Sequence, residues 1–400
     1  MYTVPPRRSL SRKESNVRPI RPEKPPAVPA MVQDRPDMIY IAALVALVSV
    51  GLIMVFSTTA VKGGFSELTK TMIFAAIGGT LMLITSLVPA KWWRAAAPWI
   101  LVAVVLALAS LLLKDKNPIA IGAKGAYRWL RVPGIGQVQP SEIAKFAFVL
   151  FAAQFLEKKG RHMGGREWGA FLLVLGGLGG LIYKEPDLGT ALVLVGIAFA
   201  MLVVAGVRWS LLIKGVLVLA VLVGTLAWNT PHQQDRLVAW WNPFEEKHRQ
   251  ADGFQVVQSL SAMSRGGLLG VGMGQSIHKL NNRLPEARTD FIFAIIAEEM
   301  GMLRAFGVLA LFGILTWRGF GIAARAPDRY LALIAVGITA WIGVQACLNV
   351  AVVTGTVPNT GVPLPFISAG GSSLVALMMA TGVVVGISRW RPLKEEARVR

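Results

Sequence analysis

Asp290 is the residue whose position most directly suggests chemistry. It ends a long polar stretch and immediately precedes an apolar segment that begins at Phe291. A carboxylate at that boundary would lie at a membrane surface, where it could remove a proton from a substrate hydroxyl as a general base. The same position also suits a helix N-cap, since Asp is favoured there. The two interpretations are compatible, and both stay open.

Further charged residues flank other apolar segments. Glu142 and Lys145 are three residues apart behind a proline, a spacing that favours an ion pair on one helix face. Asp187 falls in a short turn, where it could cap the next helix. The charged residues predicted on the outer side are Arg128, Lys145, Glu185, Asp187, Arg265, Lys279, Arg283, Glu286, Arg288 and Asp290. This mixture suits a lipid that carries a pyrophosphate, although loop cations are most often simply solvated.

Two other features interrupt apolar sequence. Glu298 and Glu299 lie about 12 Å beyond Asp290 along the same segment, at about 1.5 Å per residue. Ionisable groups at that depth usually face a bundle interior, where they serve either function or as a polar staple between helices. The stretch 355–373 contains three prolines and ends in two glycines and two serines, Ser372 among them. It predicts a re-entrant loop or a structural elbow capped by the serines.

These residues lie in a chain with the composition of a membrane protein. Of its 400 residues, 54% are hydrophobic and only 16% charged, and the mean hydropathy is +0.56. This composition excludes a disordered protein, a coiled coil and an ordinary cytosolic enzyme. The net charge of +19 lies largely in tails and short loops, which suits anionic lipid headgroups better than nucleic acid. One cysteine, Cys347, and four histidines without metal-ligand spacing predict no metal cage.

Ten apolar segments follow a basic, proline-rich tail at residues 1–37, which is predicted to be disordered. The segments lie near 38–56, 70–88, 96–113, 141–156, 168–183, 188–206, 209–228, 291–316, 329–353 and 368–388. Each is continuously apolar and close to the roughly 20 residues that a bilayer helix needs, which excludes a closed barrel. The predicted fold class is therefore all-α, a polytopic membrane domain over residues 38–390 with about ten transmembrane helices.

Basic residues predict its orientation. The short loops on one side and the C-terminal tail, residues 391–400, are rich in Lys and Arg, so both termini are predicted to be cytoplasmic. The opposite, extracytoplasmic side then carries two long loops, 114–140 and 229–290, the second between helices 7 and 8. Within the second, residues 235–241 and 255–263 have the pattern of amphipathic helices.

Several short motifs occur in order along the chain. They are Gln139-Pro140-Ser141-Glu142, Glu185-Pro186-Asp187-Leu188-Gly189-Thr190, Gln258-Ser259, Gly266-Gly267-Leu268-Leu269-Gly270, Leu284-Pro285-Glu286-Ala287, Thr289-Asp290-Phe291, Leu364-Pro365-Phe366-Ile367-Ser368 and Gly370-Gly371-Ser372-Ser373. Together they resemble the SEDS family, the FtsW, RodA and SpoVE proteins of bacterial wall synthesis. Residues 274–279 and 285–287 look more like FtsW members than RodA members.

The resemblance implies a multi-pass protein of the bacterial cytoplasmic membrane that polymerises lipid II into glycan strands on the outer face. The family's essential aspartate corresponds to Asp290, which would be the general base of an inverting glycosyl transfer with undecaprenyl pyrophosphate as leaving group. The family's Arg-Trp, Gln-Pro-Ser-Glu and Lys positions correspond to Arg128, Glu142 and Lys145. Arg128, Lys145 and Lys279 are expected to hold pyrophosphate charge.

Further expectations concern ligands and partners. Asp187, Glu286 and Ser372 are also expected to contact the substrate. A divalent cation, Mg²⁺ or Mn²⁺, could neutralise the leaving group, although the sequence shows no dedicated cage for it. The expected partners are a class B penicillin-binding protein, which supplies the transpeptidase, and other membrane proteins of the division or elongation machinery.

Two other functions stay open. One is a flippase for lipid II that uses Lys145, Glu298 and Glu299 as a polar path across the membrane. The other is a non-enzymatic scaffold that only recruits the transpeptidase. A carboxylate at position 290 favours the enzyme, because neither alternative needs one beside the outer loops.

Overall fold

The computed structural model describes residues 31–60, 65–113, 117–123, 126–134, 136–229, 231–243, 252–279 and 283–392. Within these ranges the chain forms twelve α-helices and five short strands. The helices are α1 Met38–Ala60, α2 Phe65–Leu87, α3 Ala90–Leu111, α4 Pro140–Lys159, α5 Gly165–Lys184, α6 Leu188–Val204, α7 Trp209–Asn229, α8 Pro231–Trp241, α9 Asp252–Gly266, α10 Ile292–Ala324, α11 Arg329–Val353 and α12 Gly371–Ser388.

The ten predicted apolar segments all correspond to helices, which confirms the all-α membrane architecture. Among the described helices, six are long and apolar enough to cross a bilayer by themselves: α1, α2, α3, α10, α11 and α12. α6 is shorter, with 17 residues, and α4 carries a charged pair, Glu142 and Lys145, near its start. Large side chains such as Trp99 and Leu173 are 75% exposed, as expected for faces that contact lipid.

α11 is the central helix of the bundle. It packs against α4, α6, α10 and α12, and most of its side chains are buried. α2 lies along α12, and α3 lies along α4. Two fully buried polar residues of α11, Gln345 and Asn349, are four residues apart and therefore on one face of the helix. The candidate site forms around this face.

α10 is interrupted at Gly301, which has φ 81° and ψ 162°. These dihedrals are not helical, so α10 consists of an outer half and a longer inner half. The sequence predicts one continuous helix here, because the surrounding residues are uniformly apolar or helix-forming.

The outer loop 114–140 contains a small antiparallel sheet in its described part. Strand β2, Ala120–Ala123, pairs with β3, Ala126–Val132, and β3 pairs with β4, Gly136–Val138. The sequence predicts only a loop here, because strands of three to seven residues are too short for alternation to be recognised. β3 carries Arg128.

Both amphipathic stretches predicted in the long outer loop are helical, as α8 and α9. The indole N–H of Trp240 donates to the carbonyl of Gly355 at 2.8 Å. The Ser259 hydroxyl donates to the carbonyl of Val353 at 2.7 Å. The two helices are thereby held over the outer end of α11.

Both ends of the membrane domain lie on the same side of the bundle, as predicted. Strand β1, Met31–Gln33, pairs antiparallel with β5, Trp390–Pro392. The guanidinium of Arg318 in α10 donates to both carboxylate oxygens of Asp37. The Asp37 backbone N–H donates to the Ser388 hydroxyl at 3.0 Å.

These contacts correct the predicted boundary of the N-terminal tail. The prediction of disorder over 1–37 is wrong for residues 31–37, because a strand and a buried carboxylate there have partners at the far end of the chain. The predicted C-terminal tail likewise begins later than residue 391, since β5 extends to Pro392. Residues 1–30 and 393–400 lie outside the described part of the chain.

Candidate active site

The loop between α11 and α12, residues 354–370, connects the parts of the site and is called here the α11–α12 loop. Two amides of α11 hold it. The Asn349 side chain donates to the carbonyl of Val362 at 2.8 Å, and the Gln345 side chain donates to the carbonyl of Pro363 at 2.9 Å. The sequence interpretation did not single out Gln345 and Asn349. Two amides four residues apart in the apolar segment 329–353 could have indicated them.

Asp290 lies directly beside this loop. The Asn349 amide donates to the Asp290 carbonyl at 2.7 Å. A Cβ placed on Gly361 would lie 3.6 Å from Oδ2 of Asp290. The capping position of α10 is Phe291, so the predicted N-cap role of Asp290 is wrong. Asp290 is partly exposed at the outer end of α10.

The residues before Asp290 are fastened to the same loop. The Ser368 hydroxyl donates to the Thr289 carbonyl at 2.6 Å, and the Ala369 N–H donates to the Arg288 carbonyl at 2.9 Å. Glu286 is exposed, and its carboxylate accepts a bond from the Thr289 hydroxyl at 2.9 Å. Its φ of 56° shows a left-handed turn that brings the chain back toward α10.

Lys145 is buried in α4, which packs against α11. Its ammonium lies 2.8 Å from Oε1 of Glu142, which confirms the predicted ion pair. It also donates to Oε1 of Gln345 at 3.1 Å and lies 4.7 Å from the ring centroid of Trp341. Its side chain is only 1% exposed, so the ammonium supports the α11–α12 loop through Gln345. A direct contact with pyrophosphate stays a prediction.

Asp187 caps α6, as predicted. Its carboxylate accepts bonds from the Thr190 backbone at 3.0 Å and from the Thr190 hydroxyl at 2.9 Å. It also accepts a bond from the Gln139 amide at 3.2 Å, which ties it to the start of α4. Arg128 donates to the carbonyls of Glu185 and Pro186 in the same turn. Arg128 therefore lies against the turn that carries Asp187.

The first turn of α6 touches the α11–α12 loop. A Cβ placed on Gly189 would lie 2.5 Å from the carbonyl of Thr360 and 2.4 Å from a methyl group of Val362. Only a residue without a side chain permits this approach. On the opposite flank, the Ser372 hydroxyl donates to the Gln137 carbonyl at 2.8 Å, which joins α12 to strand β4.

Several buried polar atoms around this loop have no hydrogen-bond partner among the described residues. They are Oε2 of Glu142, Oδ1 of Asn349, Oγ1 of Thr360 and both carboxyl oxygens of Glu185. Most are acceptors, and buried acceptors are normally satisfied by some donor.

Glu185 is the most unusual of these groups. Its side chain is 2% exposed, in the turn between α5 and α6. Burial, and secondarily the charge of Asp187, raise the pKa of the Glu185 carboxyl to about 8 against the opposing effect of Arg128. Glu185 is therefore neutral at pH 7.

Lys279 does not join this group. Its ammonium lies 2.6 Å from Oε1 of Glu299 and donates to the carbonyl of Ser57 in α1 at 3.0 Å. Glu298 is paired with Arg265 at 2.7 Å. Glu298 and Glu299 therefore join α10 to neighbouring segments through polar contacts, as one of the two interpretations predicted. A carboxylate at membrane depth needs such a charged or hydrogen-bonding partner.

The described residues hold no group of three His, Cys, Asp or Glu side chains placed to bind a metal ion. The participation of Mg²⁺ or Mn²⁺ stays a prediction.

Comparison with known proteins identifies the family. The family described as Cell cycle protein, with FtsW, RodA and SpoVE as its members, matches residues 37–392. The chain belongs to this family. Stage V sporulation protein E of Bacillus subtilis (strain 168) is 38% identical over 372 residues, which cover 89% of this chain and 97% of the relative. The probable peptidoglycan glycosyltransferase FtsW of Geobacter metallireducens is 35% identical over 363 residues, with 89% and 95% covered.

Solved structures of this family share the fold. One described as "Structural coordination of polymerization and crosslinking by a peptidoglycan synthase complex" aligns with a TM-score of 0.74 and 27% identity, over 88% of this chain and 98% of that chain. Rod shape determining protein RodA of Thermus thermophilus aligns with a TM-score of 0.65 and 26% identity, over 88% and 97%. The resemblance drawn from the motifs and the multi-pass membrane location are thereby confirmed.

Proposed function

We propose that this protein is a peptidoglycan glycosyltransferase that polymerises lipid II on the outer face of the bacterial cytoplasmic membrane. Several curated relatives carry the name probable peptidoglycan glycosyltransferase FtsW. The observation that carries the proposal is the setting of Asp290. Asp290 is a partly exposed residue at the outer end of the bundle, where Asn349 of α11 binds its backbone carbonyl and its carboxylate lies beside Gly361 of the α11–α12 loop.

In the proposed reaction, the Asp290 carboxylate accepts the proton of the sugar 4-hydroxyl of an incoming lipid II. The hydroxyl oxygen forms a bond to the anomeric carbon of the growing, lipid-linked strand from the opposite face to the leaving group. The bond from that carbon to the pyrophosphate oxygen breaks, and its electron pair leaves with undecaprenyl pyrophosphate. One glycosidic bond replaces one glycosyl phosphate bond, with inversion at the anomeric carbon.

Arg128 is the cation best placed to meet the pyrophosphate. Two of its N–H groups are directed to the carbonyls of Glu185 and Pro186, and a guanidinium has five donors. The remaining donors suit the oxygens of a phosphate, which guanidinium groups bind in pairs. Lys145 contributes by supporting Gln345 and the α11–α12 loop, and Ser372 by fixing the neighbouring sheet.

Glu142 is buried in its ion pair with Lys145, so it would act through Lys145, Gln345 and the α11–α12 loop rather than by direct contact with the sugar. Glu286 is exposed and lies four residues before Asp290, where its carboxylate can contact the sugar of the acceptor. A divalent cation bound chiefly by the pyrophosphate would assist departure of the leaving group.

The partner proposed for this enzyme is a class B penicillin-binding protein. The structural neighbour is a peptidoglycan synthase complex in which polymerisation and crosslinking are coordinated, and a class B protein would supply the crosslinking. Membership of the division machinery is favoured over elongation, since curated relatives are named FtsW and residues 274–279 resemble FtsW. Other proteins of that machinery would bind the same membrane domain.

The flippase alternative is less consistent with the buried charges. Lys145, Glu298 and Glu299 each lie in a short ion pair with another residue of the protein. A polar path for lipid II would have to open these pairs, at a cost of several kcal/mol each. A non-enzymatic scaffold would need no carboxylate at position 290, so the scaffold alternative gives Asp290 no function.

The test is reconstitution of the purified protein with lipid II, with and without its penicillin-binding partner. We expect glycan strands to form, as measured by gel separation of the polymer. Vesicles that carry labelled lipid II on the inner leaflet give a parallel measurement of flipping. Movement of lipid II across the bilayer without any strand formation would overturn the proposal in favour of the flippase.

A further inference from the structure

The segment 266–279, which follows α9, enters the break in α10 and is called here the inserted loop. The backbone N–H groups of Val271 and Gly272 donate to the carbonyls of Glu298 and Glu299, both at 3.0 Å. These carbonyls belong to the last turn of the outer half of α10. Non-helical backbone at membrane depth is tolerated only where protein satisfies it, and the inserted loop does so here.

The other side of the break is satisfied in the same way. The N–H of Met302 donates to the carbonyl of Gly267 at 2.9 Å, and the N–H of Leu303 donates to the carbonyl of Leu268 at 3.2 Å. The inserted loop therefore bridges both halves of α10 by backbone hydrogen bonds. It replaces, across the break, the hydrogen bonds that a continuous helix would have made within itself.

Glycines permit this close approach. Gly270 has φ 87°, and a Cβ on it would lie 2.3 Å from the carbonyl oxygen of Glu299. Gly301 has φ 81°, and a Cβ on it would lie 2.4 Å from the backbone nitrogen of Gly270. Real Cβ atoms do not approach backbone this closely, so a side chain at either position must move the two segments apart.

Side-chain charges hold the inserted loop as well. Glu298, fully buried, lies 2.9 Å from Nδ1 of His278 and 2.7 Å from the guanidinium of Arg265, and it accepts a bond from the Ser276 hydroxyl. Two residues of the loop, and the last turn of α9, thus contact one carboxylate. In this way the buried charge is compensated by a fixed set of donors.

Glu299 forms a second set of contacts next to that of Glu298. Each set, a buried glutamate with its partners in the inserted loop, is called here a clasp. The Glu299 carboxylate lies 2.6 Å from the Lys279 ammonium and 2.5 Å from the hydroxyl of Ser57 in α1. The contacts His278–Glu298 and Lys279–Glu299 each join residues 20 positions apart. The segment between these two pairs of residues, 280–297, includes Asp290. The clasps therefore fix the residues at both ends of this segment.

We propose that the inserted loop positions Asp290, and that Glu298, Glu299 and Lys279 are positioning residues that act through it. The inference rests on the proposed function of Asp290. The outer half of α10, residues 292–300, is a short helix cut off from the rest of α10 by Gly301. The inserted loop fixes its inner end, and Asn349 with the α11–α12 loop fixes its outer end. The carboxylate is thereby held at one depth and in one orientation.

Two glycine variants distinguish the effect of moving the inserted loop away from α10 from the effect of backbone strain within the loop. Gly274 lies in the same loop with φ 82°, but a Cβ on it would meet no atom within 4 Å. Gly270→Ala and Gly274→Ala therefore carry similar strain, and only the first pushes against α10. Since misplacement of a reacting group by about 1 Å can cost about 100-fold in rate, we expect Gly270→Ala to lower kcat by at least about tenfold with little change in KM. Gly274→Ala should keep kcat within about threefold of the wild type.

A crosslink reports the position of the inserted loop without reference to activity. The backbones of Leu268 and Leu303 are hydrogen bonded, and both side chains are exposed. Cysteines at these two positions, in a Cys347→Ser background, should form a disulfide on mild oxidation. We expect this disulfide to form in the wild-type and Gly274→Ala chains and to be largely lost with Gly270→Ala.

The two measurements together decide the inference. Loss of both the crosslink and kcat in Gly270→Ala supports it. A lost crosslink with normal kcat, a retained crosslink with reduced kcat, or equal loss of kcat in both glycine variants overturns it. If Gly270→Ala does not fold, the double variant Lys279→Met with Glu299→Gln, which removes both charges of one clasp, takes its place with the same outcomes. Absence of glycan from the wild type, with the crosslink intact, would instead count against the proposed function.

Discussion

At the scale of single residues, the ion pair of Lys145 with Glu142 has a closely matched counterpart elsewhere in the chain. Lys70 and Glu67 also lie three residues apart on a helix, and both pairs have an N–O distance of 2.8 Å. The two pairs differ in exposure, because the side chains of the first are 1% and 3% exposed and those of the second 61% and 44%. Lys145 also contacts Gln345 and Trp341, so the comparison tests the effect of a buried setting on a pair of the same spacing.

We expect Lys145→Met to destabilise the fold by about 3–5 kcal/mol, because it leaves Glu142 as an uncompensated buried charge. The control Lys70→Met should change stability by less than about 1 kcal/mol, as surface ion pairs do. Thermal unfolding of the purified proteins in detergent measures both. Adding Glu142→Gln to Lys145→Met should recover much of the loss, and failure of the double variant to recover any would contradict the ion-pair account.

Glu185 gives a pH-dependent prediction. Its pKa of about 8 in the folded protein lies above the ordinary value of 4.5, so the folded state holds an extra proton between those two values. The contribution of Glu185 to stability is fully present below about pH 4.5 and falls as pH rises to about 8. Glu185→Gln, which is neutral at every pH, should therefore raise the melting temperature more at pH 9 than at pH 6. Glu67→Gln is the exposed control, and an equal effect of Glu185→Gln at both pH values would refute a buried neutral carboxyl.

The sequence indicated some site residues much better than others. Asp187 and the Glu142–Lys145 pair were recognisable because local spacing determines helix boundaries and neighbours on a helix face. Asp290 was indicated by its position between a long polar stretch and an apolar segment, although it does not cap the helix. The ion pair of Lys279 with Glu299 was not predicted, because the two residues are 20 positions apart and the loop that carries Lys279 packs against α10. Long-range pairing of this kind leaves no periodicity in the sequence.

At the scale of elements, α6 and the α11–α12 loop approach each other closely at Gly189. We expect Gly189→Ala to displace this loop and reduce glycan synthesis, because its Cβ would lie 2.5 Å from the Thr360 carbonyl. Gly176→Ala in α5 is the control, since a Cβ there meets nothing within 4 Å and Ala favours a helix over Gly by about 0.5–1 kcal/mol. Polymerisation and melting temperature should fall for the first and hold or rise for the second. Equal behaviour of the two would show that the close approach is unimportant.

The elements themselves were predictable to different degrees. Continuous apolar runs such as 329–353 must be helical in a bilayer, so the helices followed from composition and length. The amphipathic α8 and α9 followed from their pattern. The sheet in the outer loop did not, because its strands of three to seven residues are too short for alternation to be recognised. The break at Gly301 did not, because it depends on hydrogen bonds to residues 267–272, which lie in a separate segment earlier in the chain. The glycine-rich motif 266–270 resembled the family but did not indicate which segment the loop contacts.

At the scale of the whole molecule, the N-terminal strand joins the two ends of the membrane domain. A chain that begins at residue 31 should keep β1 and the Asp37–Arg318 pair, and we expect its stability and activity to match those of the full chain. A chain that begins at residue 38 loses both and leaves Arg318 without this partner. Its melting temperature should fall, whereas equal melting of the two truncated proteins would contradict a structural role for residues 31–37.

The most direct test of the account is polymerisation of lipid II by purified Asp290→Asn protein together with its penicillin-binding partner. Asn349 contacts the backbone carbonyl of residue 290, so the substitution should leave the fold and the inserted loop in place. The control is Asp328→Asn, which changes the carboxylate that caps α11 at the cytoplasmic end. We predict that Asp290→Asn lowers the rate of glycan synthesis by about 10²- to 10⁴-fold, the usual contribution of a general base, while the control stays near the wild type. A rate for Asp290→Asn close to that of the wild type would contradict the assignment of Asp290 as the base.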